Sequence, residues 1–119
     1  MKSTVTSLLL VFIFASCGNG KKSQTGNNDG IPACVQKVIS ENSSTNPPAV
    51  TQIDEYSYNG KRVFLLTAPC CDRYNILYDE NCTTICAPSG GLAGKGDGKC
   101  PDFSATAKFV KLVWKNGDR

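Results

Sequence analysis

The stretch VTQIDEYSYNGKRVFLLTA, residues 50–68, decides the fold. Two runs rich in β-branched and aromatic residues, 50–58 and 61–68, flank Asn59-Gly60. Asn and Gly both tolerate the positive φ of a type I′ turn, which makes this pair the strongest short signal for a hairpin. A two-residue turn also fixes the register of the strands that it joins. The sequence therefore predicts an antiparallel hairpin with the opposed pairs Tyr56–Val63 and Ile53–Leu66.

Three more strands are predicted after the hairpin. Residues 74–78 (YNILY) have strand composition, residues 79–81 (DEN) supply a turn, and residues 83–87 return. A regular return strand would put Cys82 and Cys86 on the same face. The closing strand, 107–115, alternates, and this pattern assigns its residues to two faces: Val110, Leu112 and Trp114 on one, and Phe109, Lys111, Val113 and Lys115 on the other. We expect Trp114 to lie in the core.

A helix is predicted before the hairpin. Pro32 suits a first helical turn, Asp29 or Gly30 suits its cap, and apolar residues recur on one face: Ile31, Cys34, Val35, Val38 and Ile39. The run SSTNPP, residues 43–48, ends the helix because polar side chains compete for the backbone and two prolines follow. The fold class is therefore α+β: one N-terminal helix packed on a small antiparallel sheet of about four or five strands, stapled by disulfides.

The first 16 residues have the features of a lipoprotein signal peptide. Lys2 precedes an apolar run, residues 5–14, that is too short to span a bilayer. The small residues Ala15 and Ser16 before Cys17, with Gly18 after it, resemble the bacterial lipobox, in which the cysteine is acylated. We therefore predict a signal peptide over residues 1–16 and lipidation at Cys17, which anchors the mature protein to a membrane without spanning it.

A tether is predicted between the anchor and the domain. Residues 18–30 (GNGKKSQTGNNDG) contain no large apolar side chain and cannot bury enough surface to offset the entropy of ordering. Such a chain has a root-mean-square reach on the order of 20 Å. Residues 17–30 are thus the lipidated cysteine and its flexible tether, and residues 31–119 form one small disulfide-rich domain.

Charge and composition exclude several functions. The chain has a formal net charge of +3, and Lys2, Lys21 and Lys22 precede the domain, so the domain itself is nearly neutral. This balance gives no electrostatic footprint for nucleic acid. The chain has 0 histidines, which removes the usual general base and the commonest metal ligand. We therefore expect a protein that is not an enzyme.

Six cysteines remain in the domain once Cys17 is set aside, an even number that predicts three disulfides in an exported protein. These candidates are Cys34, Cys70, Cys71, Cys82, Cys86 and Cys100. The pairing stays open except for a preference for Cys86 with Cys100, which would close the glycine-rich loop between them. Redox chemistry and a zinc site are the alternatives, but the chain lacks C-x-x-C and an exported domain favours disulfides.

The stretch PSGGLAGKGDGKC, residues 88–100, raises the possibility of a ligand site. It fits neither the phosphate-binding loop nor the dinucleotide pattern, so ATP and NAD are excluded and no cofactor is predicted. A calcium site would need Asp72, Asp79, Asp97 and Asp102 to converge, yet the alternating acidic ligands of an EF-hand are missing. No metal is predicted. We expect a structural loop, pinned by Cys100, that also offers a recognition surface: Gly90, Gly91, Gly94, Lys95, Gly96, Asp97, Gly98 and Lys99.

Seven short motifs together resemble a family of small Bacteroidota lipoproteins that carry a domain of unknown function. They are IPAC (31–34), NPP (46–48), YSYNGKRVF (56–64), CCD (70–72), LYDENC (77–82), ICAPSGG (85–91) and GKGDGKCPDF (94–103). The resemblance implies a place in the cell envelope and no activity. In that lineage an acidic run after the lipidated cysteine favours surface display, whereas GNGKK is basic, so we expect the periplasmic face of the outer membrane.

The main functional hypothesis is a non-enzymatic binding scaffold. Its partners would be the membrane, through the lipid anchor, and another envelope protein or polymer. One alternative is an inhibitor of exported proteases, because a loop held by disulfides is preorganised for an active site. The other is a thiol- or metal-dependent activity that would use the cysteines with Asp72, Asp79 and Asp97.

Overall fold

The computed structural model describes residues 30–70 and 72–117. In this part of the chain the elements are α1 (Ala33–Ser43), β1 (Gln52–Tyr58), β2 (Lys61–Thr67), β3 (Tyr74–Tyr78), β4 (Thr84–Gly90), α2 (Phe103–Thr106) and β5 (Lys108–Lys115). The strands form one antiparallel sheet in the order β4-β3-β2-β1-β5. The predicted α+β class is confirmed. The predicted signal peptide, Cys17, the tether up to residue 29, and Cys71 lie outside the described residues.

The hairpin of β1 and β2 has the predicted register. Tyr56 pairs with Val63 and Ile53 pairs with Leu66. Asn59 and Gly60 have φ values of 50° and 72°, the left-handed conformation that a type I′ turn requires at both central positions. The turn residues therefore determine how the two central strands align.

Pro32 precedes the first turn of helix α1, and the side chain of Asn42 lies at its C-terminal end. Pro32 is the N-cap residue with ψ 143°, so the predicted cap at Gly30 is wrong, while Asp29 lies outside the described residues. At the other end the Asn42 amide nitrogen donates to Val38 O at 2.8 Å. Its carbonyl oxygen accepts the amides of Ala49 at 2.9 Å and Val50 at 2.8 Å. This buried side chain joins the end of the helix to the segment that leads into β1.

Helix α1 covers one face of the sheet. The core there contains Val35, Ile53, Phe64 and Leu66, and the other predicted helix residues pack around it, together with Trp114: Ile31, Cys34, Val38 and Ile39. The predicted apolar helix face is confirmed, and Trp114 packs against this core as a partly buried residue.

The opposite face has a second core that the sequence did not predict. Residues 100–107 cross this face and include the four-residue helix α2. Phe103 from α2 packs edge to face on Tyr56, with ring centroids 5.1 Å apart, and on Tyr58 at 5.3 Å. Val63, Leu77, Cys86 and Cys100 complete the cluster. Both faces of the sheet are therefore covered.

Strand β5 is an edge strand with two irregularities. Its pairing with β1 shifts between Ile53 and Asp54 and again between Glu55 and Tyr56. Each shift inserts an extra residue and changes the face on which the following side chains lie. Val113 consequently packs against the same cluster as Trp114, so the predicted strict alternation of the two faces is wrong.

Both cores and two disulfides form among residues 30–70 and 72–117, so this part of the chain has the packing of an independent folding unit. Among the helices of this part of the chain, none has the length and apolar character needed to cross a membrane.

Candidate functional site

Disulfides fasten the segments around the sheet. Cys86 bonds to Cys100, as predicted, and Cys34 bonds to Cys82, with Cα atoms 6.1 Å apart in each pair. Cys70 is disulfide-bonded as well. Cys82 lies in the turn before β4 with φ 58°, and it packs on the helix-covered face, whereas Cys86 lies in the core of the other face. The prediction that these two cysteines share a face is therefore wrong, because the return strand begins only at Thr84.

The glycine loop, residues 90–99, folds back against β4. Gly96 N donates to Gly90 O at 3.0 Å, and Asp97 N donates to Ala87 O at 2.9 Å. Gly94 N donates to Gly91 O at 3.0 Å and closes a turn with Leu92 and Ala93 at its tip. With Cys100 tied to Cys86, the loop is held along its length by backbone hydrogen bonds and at its end by a disulfide.

Two of the loop glycines are required by close approach of the backbone. Gly90 and Gly96 have φ values of 84° and 74°, a region that side chains other than glycine rarely adopt. A Cβ at Gly90 would overlap the carbonyl oxygen of Arg73, and a Cβ at Gly96 would overlap that of Ala87. The expectation that these glycines allow positive φ and close packing is confirmed. The role of the loop as a recognition surface stays a prediction.

Leu92 is the most exposed apolar side chain of the loop, with 95% of its surface accessible. It borders a shallow groove of about 400 Å³ lined by Asp72, Tyr74, Gly90, Gly91, Ala93 and Gly96. Leu92 was not predicted from the sequence, although a single large apolar residue in a polar, glycine-rich stretch is a recognisable signal. The exposed part of the loop thus combines an apolar tip with the cations of Lys95 and Lys99, which are also exposed.

Two of the aspartates proposed as ion ligands or catalysts, Asp79 and Asp97, accept hydrogen bonds in different turns, and Asp72 lines the groove beside Leu92. Asp79 Oδ1 accepts the amides of Asn81 and Thr83 at 2.8 and 2.9 Å, which builds the predicted turn. Asp97 Oδ1 accepts the amide of Lys99 at 3.0 Å. Over residues 30–70 and 72–117 no three Cys, Asp or Glu side chains lie close enough together to hold a metal ion.

Tyr58 and Asp102 form a hydrogen bond that links β1 to the segment crossing the second face. The Tyr58 hydroxyl donates to Asp102 Oδ1 at 2.6 Å, and this bond to a carboxylate raises the pKa of the phenol. A phenol with a raised pKa is a weaker acid, so the hydroxyl keeps its proton near neutral pH and remains the donor in this bond. The bond therefore has a structural role in positioning residues 100–107.

A charged cluster that was not predicted from the sequence lies where the chain enters the domain. Arg62 donates to the buried Glu55 carboxylate through Nε at 2.7 Å and Nη2 at 2.9 Å, and through Nη1 to Gly30 O at 2.6 Å. The hydrogen bonds from Arg62 hold the pKa of Glu55 below its usual value despite burial, and they raise the pKa of Arg62. The Arg62 guanidinium also lies 5.0 Å from the centroid of the Phe64 ring. The cluster thus fixes Gly30 against β2.

Gly30 and the glycine loop lie at opposite ends of the sheet. Arg62 is next to the hairpin turn, whereas the loop leaves β4 at Gly90, which pairs with Tyr74 at the far end of β3. At about 3.3 Å per residue, a strand of seven residues such as β2 separates these ends by roughly 20 Å.

The comparisons with known proteins assign no activity to the chain. A model of the domain of unknown function DUF6970 matches residues 37–116, which include all five strands. No curated protein and no solved structure matches the chain. By the extent of the match to its model, the chain belongs to the DUF6970 family.

Proposed function

We propose that this protein is a lipoprotein of the bacterial cell envelope whose domain acts as a non-enzymatic binding scaffold. The observation that carries the proposal is the position of the glycine loop, held rigidly at the end of the sheet opposite Gly30. A domain anchored through Cys17 would present this loop away from the lipid surface. A loop that is already ordered loses little conformational entropy when it binds.

The anchor is proposed from the sequence of residues 1–17 and from the resemblance to Bacteroidota lipoproteins. The basic run after Cys17 supports the periplasmic face of the outer membrane. Cell fractionation tests the anchor: Cys17→Ala should prevent acylation, which intact mass detects, and should change the fraction in which the protein is found. Protease added to intact cells tests the leaflet, since a periplasmic domain is protected and a surface domain is digested.

The proposed partner is another envelope protein or polymer, and Leu92 is the residue that we expect to anchor it. A fully exposed leucine beside a half-exposed tyrosine, Tyr74, suits a small apolar pocket on the partner. The neighbouring lysines, Lys95 and Lys99, give the contact a polar rim.

Capture from envelope extract with residues 18–119 as bait tests this proposal. We expect Leu92→Ser to lose a partner that the wild-type domain captures. Ile85→Ser is the matched control, because Ile85 is 40% exposed and lies near the start of β4, at the other end of the sheet. Equal capture by both variants, or no specific capture by the wild type, would contradict a role for the loop in recognition.

Inhibition of exported proteases is the second candidate, and the disulfide-held, exposed loop favours it. The turn closed by Gly94 N and Gly91 O bends the chain at Leu92, while a substrate-like loop binds in an extended form. The bent conformation at Leu92 therefore favours the binding-scaffold hypothesis over the protease-inhibitor hypothesis. Micromolar domain added to a panel of serine and cysteine proteases tests the inhibitor directly, and unchanged rates would count against it.

A further inference from the structure

The exposed edge of the sheet carries an apolar and cationic strip that the glycine loop does not touch. The β5 strip consists of Lys108, Phe109, Val110, Lys111, Leu112 and Lys115. Phe109 is 60% exposed, Val110 52% and Leu112 46%. These three large apolar side chains are exposed to solvent, and they lie within four consecutive positions of one strand.

The exposed charge of the strip is entirely positive. The carboxylates on the neighbouring strand at this edge belong to Asp54 and Glu55, both buried, and Glu55 is held by Arg62. Lys108 and Lys115 are exposed at the two ends of β5, so they flank the apolar residues. An apolar strip flanked by lysines complements a partner whose surface is negatively charged and whose interior is apolar.

The backbone edge of β5 is poorly suited to a partner strand. Strand addition needs a regular row of free N–H and C=O groups, and two register shifts interrupt that row. Lysines along an edge also discourage pairing with another strand. Side chains rather than the backbone must therefore make any contact at this edge.

We infer that the β5 strip docks the domain on an anionic phospholipid bilayer. Phe109, Val110 and Leu112 enter the boundary between headgroups and acyl chains, and the lysine ammonium groups extend to the phosphates. This inference deepens the proposed function, since it rests on anchoring of the chain at a membrane, and the predicted tether is long enough to allow it.

Docking through β5 is compatible with display of the glycine loop. Strand β4, from which the loop emerges, is the opposite edge of the sheet. Four strand spacings of about 4.8 Å place β4 roughly 19 Å farther from the bilayer than β5. A domain lying on β5 thus keeps Leu92 accessible to a partner.

Flotation of residues 18–119 with vesicles tests the docking without the lipid anchor. Vesicles of phosphatidylcholine alone are compared with vesicles of equal parts phosphatidylcholine and phosphatidylglycerol. We expect binding to the anionic vesicles that weakens as salt is added. Lys108→Gln with Lys115→Gln should lower the partition coefficient by about fivefold per lysine. Val110→Ser should lower it by about tenfold, and Phe109→Ser is a second apolar variant.

The matched control is Lys37→Gln with Lys61→Gln, which removes the same charge from exposed positions outside β5 and should bind nearly as the wild type does. Circular dichroism verifies folding of each variant. No binding by the wild type at millimolar lipid, or equal losses for the control and the β5 variants, would overturn the inference. Loss of a captured protein by β5 variants that still float normally would assign the strip to a protein partner and would also overturn it. None of these three results decides the Leu92 capture experiment, which tests the proposed function separately.

Discussion

Alanine substitutions at two loop glycines measure how firmly the glycine loop is held. Gly94 and Gly96 have nearly equal φ values, 71° and 74°, so alanine meets similar backbone strain at both, roughly 1–2 kcal/mol before a small gain from the stiffer unfolded chain. Around Gly94 a Cβ meets no atom within 4 Å, whereas at Gly96 it overlaps the carbonyl oxygen of Ala87. Relieving that overlap displaces the hydrogen bonds of Gly96 N and Asp97 N, each contributing about 1 kcal/mol.

We therefore expect Gly94→Ala to lower the free energy of unfolding by about 1 kcal/mol and Gly96→Ala to lower it by about 3 kcal/mol. In a domain of this size the corresponding losses in Tm are roughly 5 °C and 15 °C. Urea unfolding of residues 18–119 with the disulfides intact measures the difference. Equal losses for the two variants would refute the claim that the loop is packed rigidly against β4.

Three further predictions concern the rest of the domain. Because Arg62 lowers the pKa of Glu55, the stability from this pair is present above the usual carboxylate pKa and is lost below about pH 4. Arg62→Gln should lower the free energy of unfolding at neutral pH by about 3 kcal/mol and should make that free energy less dependent on pH in the acid range. An unchanged pH dependence in the variant would contradict the role of Arg62 in stabilising the Glu55 carboxylate. Reductant should open Cys34–Cys82 before Cys86–Cys100, because the cysteines of the second pair are only 1% and 5% exposed. Timed alkylation followed by peptide mass analysis measures the order, and the opposite order would contradict the claim that burial governs access. Asn42→Ala should lower the free energy of unfolding by about 2 kcal/mol, because the part-buried amides of Ala49 and Val50 lose their acceptor. Asn42→Asp keeps an acceptor, so chemical denaturation should show a smaller loss of stability for this variant.

Features encoded by neighbouring residues were predictable from the sequence. The Asn59-Gly60 turn fixed the register of the central hairpin, and helical spacing identified the buried face of α1. Residues 74–78 form β3 as predicted. Each of these features depends on interactions within a short stretch of chain, where propensity and periodicity act directly.

Features that depend on distant contacts were not predictable in the same way. The two shifts in β5 arise from its pairing with β1, about fifty residues earlier, and no local pattern marks them. Helix α2 is only four residues long and is held by Phe103 packing on the tyrosines of β1. The Glu55–Arg62 pair had a readable signal, because the hairpin register places these two side chains diagonally on one face.

The candidate site was predictable as a segment but not as a surface. The sequence identified residues 90–99 and the Cys86–Cys100 staple. It did not reveal that the loop folds back on Ala87, that Leu92 is left at the tip, or that Gly30 is held at the other end of the sheet. These relations require the pairing of distant strands, which places the entry of the chain beside the hairpin turn and the loop at the other end of the sheet.

Site-specific photo-crosslinking in cells tests the central claim most directly. A photoreactive residue is placed at position 92, at the tip of the glycine loop, or at position 61, beside the hairpin turn near Gly30. The account predicts a discrete adduct with another envelope component from position 92 and little or none from position 61. An adduct from position 61 with none from position 92 would contradict the claim that the glycine loop is the surface presented to a partner.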